Sequence, residues 1–564
     1  MTLKKRLFVV EASGKIAKVS SLLNELINDD FEVVATNGKL FNLPVKEIGV
    51  DLETLEVTKL VPISNDKIQF LNKKISGASH VYLMTDNDIE GEVIAKEISS
   101  LIPLSVPSTR LRFNALTTES LRGALDMPDS VKESSATCGL SRRIFDRIVG
   151  YGLSKPYSKS LSQDKDDLPG IVGRVLSPVL NELSSSRLEV ASLQKGISDK
   201  EGGEWLVDIS ISNENLKLGR NAQALLMTLP DIEIIEVERI VEEDDSTPWS
   251  GRDTLVNVCK TLNITPSEAM REMQSLYESG DISYPRSDSR QMSLDSMREL
   301  MAVAENYGVI DFDLKTIQRK ARDGGSTIIQ GAHEAVIPLS NNLDINANME
   351  SLALRDQVLL IITKNAIAAG RQDLTRTLIK GIPSNDFSLN EPWNKLFSIF
   401  GRDNVSISKS FISTKGYKRK TPKNERFDYG TSRFFSMANS TVRYKEHQRE
   451  TVVLMAMDRI GIGRPSTIDM HASKIASKYL GSDMKLNTKA ELSLRRADIL
   501  APGLITKASC SDIDAILHTP DSSSTQEKIM QALKAGGIEI RGGKAGAVFI
   551  PNKQNDKDIL PDIF

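Results

Sequence analysis

Cysteine is scarce in this chain. Only three occur in 564 residues, Cys138, Cys259 and Cys510, far apart and never as C-x-x-C. That excludes a cysteine-rich zinc ribbon and speaks against a disulfide framework. Long apolar runs are also missing: VLLIIT ends at Lys364 and VVLMAM at Asp458, well short of the roughly 20 residues a membrane span requires. The basic start MTLKKR is followed by four apolar residues before Glu11, too short a stretch for a signal-peptide core. A cytoplasmic protein with no membrane partner is expected. No G-x-x-x-x-G-K-[ST] loop is present, so no P-loop ATP site is expected. Charge of one sign is lacking too, the net value being -3, so any nucleic-acid surface must be local. Candidate patches are Lys415 to Lys423, Arg142-Arg143 and Arg371 to Lys380, each of which could equally be a solvated charged face. There is no short-period internal repeat.

What the chain does have is length and alternation. Since one core rarely exceeds about 250–300 residues, 564 residues imply three to five domains. The first 120 residues alternate strand-like and helix-like segments: RLFVVE, IAKVSSLLNELI, FEVVAT, HVYLMTD, a helix from Glu92 through Ile98, and RLRFNAL. This is the pattern of a mostly parallel sheet covered by helices. From Thr118 to Leu193 the spacing predicts helices, and from Glu204 to Glu242 strands. A helical block from Arg252 to Glu278 leads to LYESGDISYPRSDS, and helices resume at Asp356 to Ala369. Thr375 to Ser436 reads as strand-like pieces, KLFSIFG and VSISKSFIST, among basic and turn residues. Helices return at Glu450 to Ile460 and Thr467 to Tyr479, and the tail from Arg541 is expected to be loose. The two strand-rich regions bracket the helical block, so one domain could be interrupted by another and form an arch.

The chemistry concentrates in a few segments. Asp86, Asp88, Glu90 and Glu92 run off the probable strand HVYLM; alternating carboxylates there can hold Mg²⁺ through a few oxygens while leaving water positions open, or be a solvated acidic turn. Glu11 ends LFVVE and is followed by Ser13, Gly14 and Lys15. A carboxyl crowded by others can have a raised pKa and act as an acid or base, and Lys15 offers a point charge to a phosphate. Tyr284 stands two residues before Arg286 on an extended segment, and positions i and i+2 of a strand share a face. A phenol with a pKa of about 10 needs help to act as a nucleophile. His333, in GAHEAVIP, could hydrogen-bond a phosphate oxygen or simply begin a helix. Gly173-Arg174 with Ser177, and Gly463-Arg464 with Ser466 and Thr467, put arginine and hydroxyls just before helices, where backbone N–H groups suit phosphates.

In this order the segments resemble the type IA DNA topoisomerases. LFVVEASGK is similar to the family's opening strand, and TDNDIEGE to its TOPRIM acidic motif T-D-x-D-R-E-G-E. RRIFDRIVGY, GRVLSP, LYESGDISYPRSDS, AHEAVIP and IGRPST resemble the motifs that follow, over residues 6 to 470. Tyr-Pro-Arg, the Ser-Pro after Arg174 and Ile337 before Pro338 look closer to the topoisomerase III branch, whereas Glu334 points the other way. The resemblance implies a multidomain α/β plus α fold, a TOPRIM domain with a toroidal arch of helical and β-rich domains. It implies an ATP-independent enzyme that cuts one strand through a 5′-phosphotyrosyl link, passes a strand and reseals, relaxing negative supercoils or decatenating DNA. Tyr284 would be the nucleophile and Glu11 the acid and base. Lys15, Arg286 and His333 would hold the scissile phosphate. Asp86, Asp88 and Glu90, with Glu11, would bind Mg²⁺. Arg143, Arg174, Ser177, Asp288, Arg464, Ser466 and Thr467 would meet the single strand.

The expected domains are TOPRIM at 1–125, a helical DNA-binding base at 126–202 and 437–510, a β-rich arch or hinge at 203–248 and 373–436, a helical tyrosine domain at 249–372, and a partly flexible segment at 511–564. A monomer associated with the nucleoid is expected, with single-stranded DNA as partner and RNA as a second one. Three positions depart from the pattern: Ile89 replaces the arginine beside the acidic residues, Lys39 stands where bacterial members often carry histidine, and Leu176 replaces a glutamine. Two alternatives remain open: a TOPRIM primase or nuclease without a covalent tyrosine, and a weakened DNA-binding homologue.

Overall fold

The computed structural model describes residues 5–154, 170–199, 204–227, 229, 232–243, 246–323, 334–371, 374–383, 391–400, 402–414, 432–436, 442–541 and 548–551. The fold mixes α and β throughout. Its amino-terminal unit is a four-stranded sheet in the order Phe31–Ala35, Lys5–Val10, Ala78–Met84, Ser108–Arg110, every pair of which is parallel. The two central strands are buried on both faces, as their continuous apolar sequences require. Val10 pairs with Met84, so the residues that follow them, Glu11 and Thr85-Asp86, leave the sheet side by side. Ligands of open α/β sheets bind at such carboxyl ends. RLRFNAL becomes strand only as far as Arg110; Leu111 onward runs in loop.

Helices Thr118–Asp126, Glu133–Leu153 and Leu176–Ser185 follow. The helical spacing expected up to Leu193 stops earlier, because a strand begins at Glu189, where Val190, Ala191, Leu193 and Ile197 are buried. The second sheet has seven strands in the order Ser432–Ser436, Ile232–Glu243, Leu374–Pro383, Val405–Thr414, Glu204–Ser212, Glu189–Asp199, Val442–Glu446. All its pairs are antiparallel. A further pairing, Phe435 with Asp199, closes six of the strands on themselves, which engages the otherwise free edge of Ser432–Ser436. Two differences from the sequence reading lie here. A helix, Leu216–Met227, interrupts the strands, and KLFSIFG belongs to the helix Glu391–Phe400, burying Trp393, Leu396 and Phe400. That spacing of three and four is helical, but the run is too short to separate from a strand by pattern alone.

Between Glu243 and Leu374 the chain leaves the sheet and builds helices Gly251–Leu262, Pro266–Ser279, Leu294–Asn306, Leu314–Asp323 and Leu354–Gly370. Ser250 and Thr265 begin the first two with complete capping boxes, and Gly280 ends the second at a φ of 82°, a conformation glycine adopts without strain. Helices Arg449–Ile460, Ile468–Tyr479 and Thr488–Leu500 return to the base. Helices Lys507–His518 and Thr525–Ala535 then pack on Glu133–Leu153, sharing a core of Phe145, Ile148, Ile513, Leu517, Ile529 and Leu533. Ile538–Arg541 pairs antiparallel with Val548–Pro551; the other residues of the tail expected to be loose, 542–547 and 552–564, lie outside the described residues.

Candidate active site

The acidic segment is shaped by a helix start. Asp88 caps the helix Ile89–Ser99, its Oδ1 accepting from Gly91 N–H at 2.6 Å. Gly91 leaves no room for a side chain, because a Cβ there would collide with the carbonyl oxygen of Asp86. The helix N-terminus carries partial positive charge, which favours the carboxylates gathered on it. Lys15 is fully buried and ion-paired with Asp86, also buried. Its ammonium lies 4.9 Å from the centre of the Tyr277 ring.

Glu11 faces the same carboxylates. Burial, and then the charges of Asp86 and Asp88, push its carboxyl up to about 8, although Lys15 and Arg286 pull the other way. It is therefore largely protonated at neutral pH.

The tyrosine segment meets this cluster from the helical block. Ile282 forms an isolated bridge with Pro338, Ser283 N–H donates to Ile337 O at 3.0 Å, and Pro285 and Arg286 form a turn. The extended strand expected over Tyr284 to Arg286 is thus a single bridge followed by a turn, because Pro285 has no N–H to continue a ladder. Tyr284 is buried, and its hydroxyl donates to Asp88 Oδ2 at 2.8 Å. Its backbone N–H donates to Asn114 O at 3.0 Å, and Asn87 Nδ2 donates to Asn114 Oδ1 at 2.9 Å. Burial, with Asp88 and Asp86 adding to it, holds the phenol well above its ordinary pKa, opposed by Arg286. Arg286 couples electrostatically to Tyr284, Asp86, Asp88 and Glu11. Its Nε is buried without a hydrogen-bond partner among the described residues.

Of the remaining candidates, Glu90 pairs with Lys39 and, at 3.3 Å, with Arg142. Positive charge beside Glu90 therefore comes from Lys39 and Arg142, while Ile89 packs against Gly139 of helix Glu133–Leu153. Burial, then Arg143 and Arg142, lowers Lys39 to about 8. Glu92 stands apart, buried between Arg110 and Arg112 at 2.9 and 3.0 Å. Arg174 is buried, chelated by Asp146 at 2.9 and 3.1 Å and paired with Asp514. Ser177 is also buried, accepting from Gly173 N–H at 3.2 Å. Arg143 lies 3.3 Å from Glu97. Arg464 lies 3.1 Å from Asp288, and its carbonyl accepts from Thr467 N–H at 2.9 Å; Ser466 is half-buried beside it. His333 and the patch Lys415 to Lys423 lie outside the described residues.

Sequence reasoning singled out neither Arg147 nor Tyr151, whose guanidinium and ring are 4.4 Å apart. With Lys39, Arg142, Arg143 and Asp146 they line a cleft of about 560 Å³. Nor did it find Asp514 or His518; nothing local marks them.

Residues 6–116 match the Toprim domain and residues 130–489 match the DNA topoisomerase family. The chain belongs to the type IA DNA topoisomerase family. It is 26% identical over 494 residues to DNA topoisomerase 1 of Aquifex aeolicus, covering 82% of this chain and 84% of that protein. It is 26% identical over 350 residues to a plasmid DNA topoisomerase I of Xylella fastidiosa, 59% of this chain and 51% of the relative, so the chain spans about half that protein's length. The fold is similar to full-length topoisomerase I from Thermotoga maritima, with a TM-score of 0.57, 19% identity and 96% of both chains covered. These relatives are named topoisomerase I, so the leaning toward the topoisomerase III branch has no counterpart in their names. Among the described residues, no helix is long and apolar enough to cross a membrane.

Toprim domains and type IA topoisomerases generally use Mg²⁺, and the donors here fit a hard cation in kind. Asp86, Asp88 and Glu11 are oxygen ligands, and burial together with the charges of Asp86 and Asp88 raises the Glu11 carboxyl, a penalty that a divalent ion would relieve. They do not form a ready cage: among the described residues no three such side chains are gathered as a metal site, and Asp86 is engaged by Lys15.

Proposed function

We propose that this protein is an ATP-independent topoisomerase that cuts and reseals one DNA strand through Tyr284. The observation that carries the reading is the 2.8 Å hydrogen bond from the Tyr284 hydroxyl to Asp88, with Glu11 held near a pKa of 8 in the same cluster. The phenol attacks the scissile phosphorus as its proton passes to Asp88. The P–O3′ bond breaks as Glu11 donates its proton to the leaving 3′ oxygen, and a 5′-phosphotyrosyl ester remains. Resealing reverses both transfers. One phosphoester replaces another, so the bond energy is conserved and supercoil strain drives the net change.

Arg286, turned toward the cluster with its Nε unpartnered, stabilises charge on the phosphate. Lys15 reaches the phosphate only if its pairing with Asp86 loosens. Asp86, Asp88 and Glu90, with Glu11, would hold Mg²⁺, which supplies charge neutralisation during resealing. The single strand enters the cleft lined by Lys39, Arg142, Arg143 and Arg147, where the Tyr151 ring offers a base a stacking surface. Arg464, Ser466, Thr467 and Asp288 lie along its path, and Arg174 with Ser177 supports the cleft from beneath. RNA fits the same backbone contacts.

The 249–372 block carries the tyrosine and lifts from the TOPRIM unit as a gate. The rest of the expected division is kept: TOPRIM to 125, a helical base at 126–202 and 437–510, an arch at 203–248 and 373–436, and a tail from 511. The protein works as a monomer at the nucleoid. The test is relaxation of negatively supercoiled plasmid with Mg²⁺ and no ATP, together with adduct trapping on 5′- and 3′-labelled oligonucleotides. An adduct carrying the 3′ label is expected, on the fragment downstream of the scissile phosphate, with the 5′-labelled fragment released bearing a free 3′-hydroxyl; cleavage by Tyr284→Phe would refute the mechanism in favour of a primase or nuclease.

A further inference from the structure

The helix Lys507–His518 lies beyond residues 130–489, which match the family, yet its inner face touches Arg142, which lines the cleft, and the buried Arg174. Asp514 pairs with Arg174. One turn on, His518 is buried, with Nδ1 2.7 Å from the Asp514 carbonyl oxygen and Nε2 3.5 Å from Arg142 Nη1. A carbonyl only accepts, so Nδ1 carries the proton and Nε2 turns its lone pair toward Arg142. Burial, then the charges of Arg464, Arg142 and Arg174, keep this ring neutral well below the ordinary histidine value. The other amine of Arg142, Nη2, lies 3.3 Å from Glu90 Oε2. A chain of contacts thus runs from the carboxyl-terminal helix through His518 and Arg142 to the acidic segment. Cys138 Sγ, 3.3 Å from Thr519 O, ties the same two helices together.

We propose that this helix is a working wall of the DNA cleft, in which His518 is a positioning residue that fixes Arg142 between Glu90 and the single strand. An uncharged acceptor is what the place requires. A guanidinium crowded by Arg174 and Arg464 needs a partner that does not cancel the charge it offers to a phosphate. A carboxylate at position 518 would neutralise it, and an apolar residue would leave the guanidinium free to swing out of the cleft. The proposal rests on the reading that the cleft takes a DNA strand.

The test uses the full chain and a short fluorescein-labelled single-stranded oligonucleotide, with affinity read by anisotropy across a series of KCl concentrations. Loss of one hydrogen bond to a charged group corresponds to roughly tenfold weaker binding in His518→Leu. Release of one phosphate contact also lowers the salt slope by about 0.7. His518→Gln, whose amide oxygen reaches the Nε2 position, should bind within about threefold of wild type. His518→Asn reproduces the Nδ1 side alone; it should bind like the leucine variant and serves in its place if that variant does not fold. Wild-type affinity and slope in the leucine or asparagine variant would overturn the proposal. So would equal weakening in the glutamine and leucine variants with a matching fall in melting temperature, since that is a purely structural effect. Absence of salt-dependent binding by the wild type would overturn the cleft reading and the proposal with it.

Discussion

Replacing Lys15 by methionine isolates the electrostatics of the site. The ammonium is fully buried, its partner Asp86 is only 3% exposed, and Tyr277 closes over it at 4.9 Å. Methionine fills a similar volume and leaves Asp86 as a buried carboxylate without its cation. Removing one partner of a buried pair costs about 3–5 kcal/mol, and the lost ring contact adds about 0.5–1 kcal/mol. Lys15→Met should therefore be less stable to urea by about 4 kcal/mol at pH 7.5. The double variant Lys15→Met/Asp86→Asn should recover most of this, since neutral replacement of a buried pair is often tolerated. The assay is urea unfolding of the four species of the cycle at pH 7.5. A single-variant cost below about 1 kcal/mol, or costs that simply add, would refute a tight buried pair.

Tyr284→Phe should abolish the covalent adduct in a denaturing-gel assay. It should cost about 1.5–3 kcal/mol of stability, because Asp88 loses the phenol's hydrogen bond. Glu11 gives a pH signature. Its folded pKa of about 8 lies above the ordinary 4.5, so its contribution to stability is complete below 4.5 and is lost as pH rises through about 8. Adduct formation in EDTA should fall over the upper part of that window, and Glu11→Gln should flatten both profiles; an adduct yield rising toward pH 9 would contradict the acid role. Gly91→Ala, which drives a methyl into the Asp86 carbonyl, should cost about 1–3 kcal/mol by overpacking and depress relaxation, read by thermal denaturation and plasmid relaxation; an unchanged melting temperature would show that the helix start can yield.

The parts of the site legible in sequence were those whose chemistry and local structure coincide. A buried strand ending in a carboxylate, as at Val10-Glu11 and Met84 to Asp86, announces both the sheet and the place where its ligands gather. Asp88 is legible for the same reason, being at once a helix cap and an acidic donor. Long-range pairing was not legible. Nothing within a few residues of Asp514 or His518 shows that they meet Arg174 and Arg142, more than 300 residues earlier, because those contacts are set by helix packing. Lys15 was legible only in part: a lysine after a strand suits a phosphate, but its place in the core against Asp86 is set by packing that the local sequence does not show. The segment KLFSIFG misled because seven residues hold too few turns to separate the two periodicities.

The attachment of the tyrosine block has a mechanical consequence. The chain departs after Glu243 and comes back at Leu374, and Glu243 is itself the ladder partner of Thr375. Exit and return are therefore about one strand spacing, 4.8 Å, apart. A body held at two distant points can move only by bending itself or its frame, whereas one held at a single point can swing whole. The helices that carry Tyr284 can rotate about that point with both sheets intact. What must part is the contact surface with the amino-terminal unit, including the Tyr284–Asn114 and Tyr284–Asp88 hydrogen bonds, and the packing of helices Gly251–Leu262 and Pro266–Ser279 on Arg449–Ile460 and Ile468–Tyr479, with the Asp288–Arg464 pair. On the mechanism proposed above, Tyr284 would be nucleophile and part of the latch at once, and its esterification to DNA would already release one of those bonds.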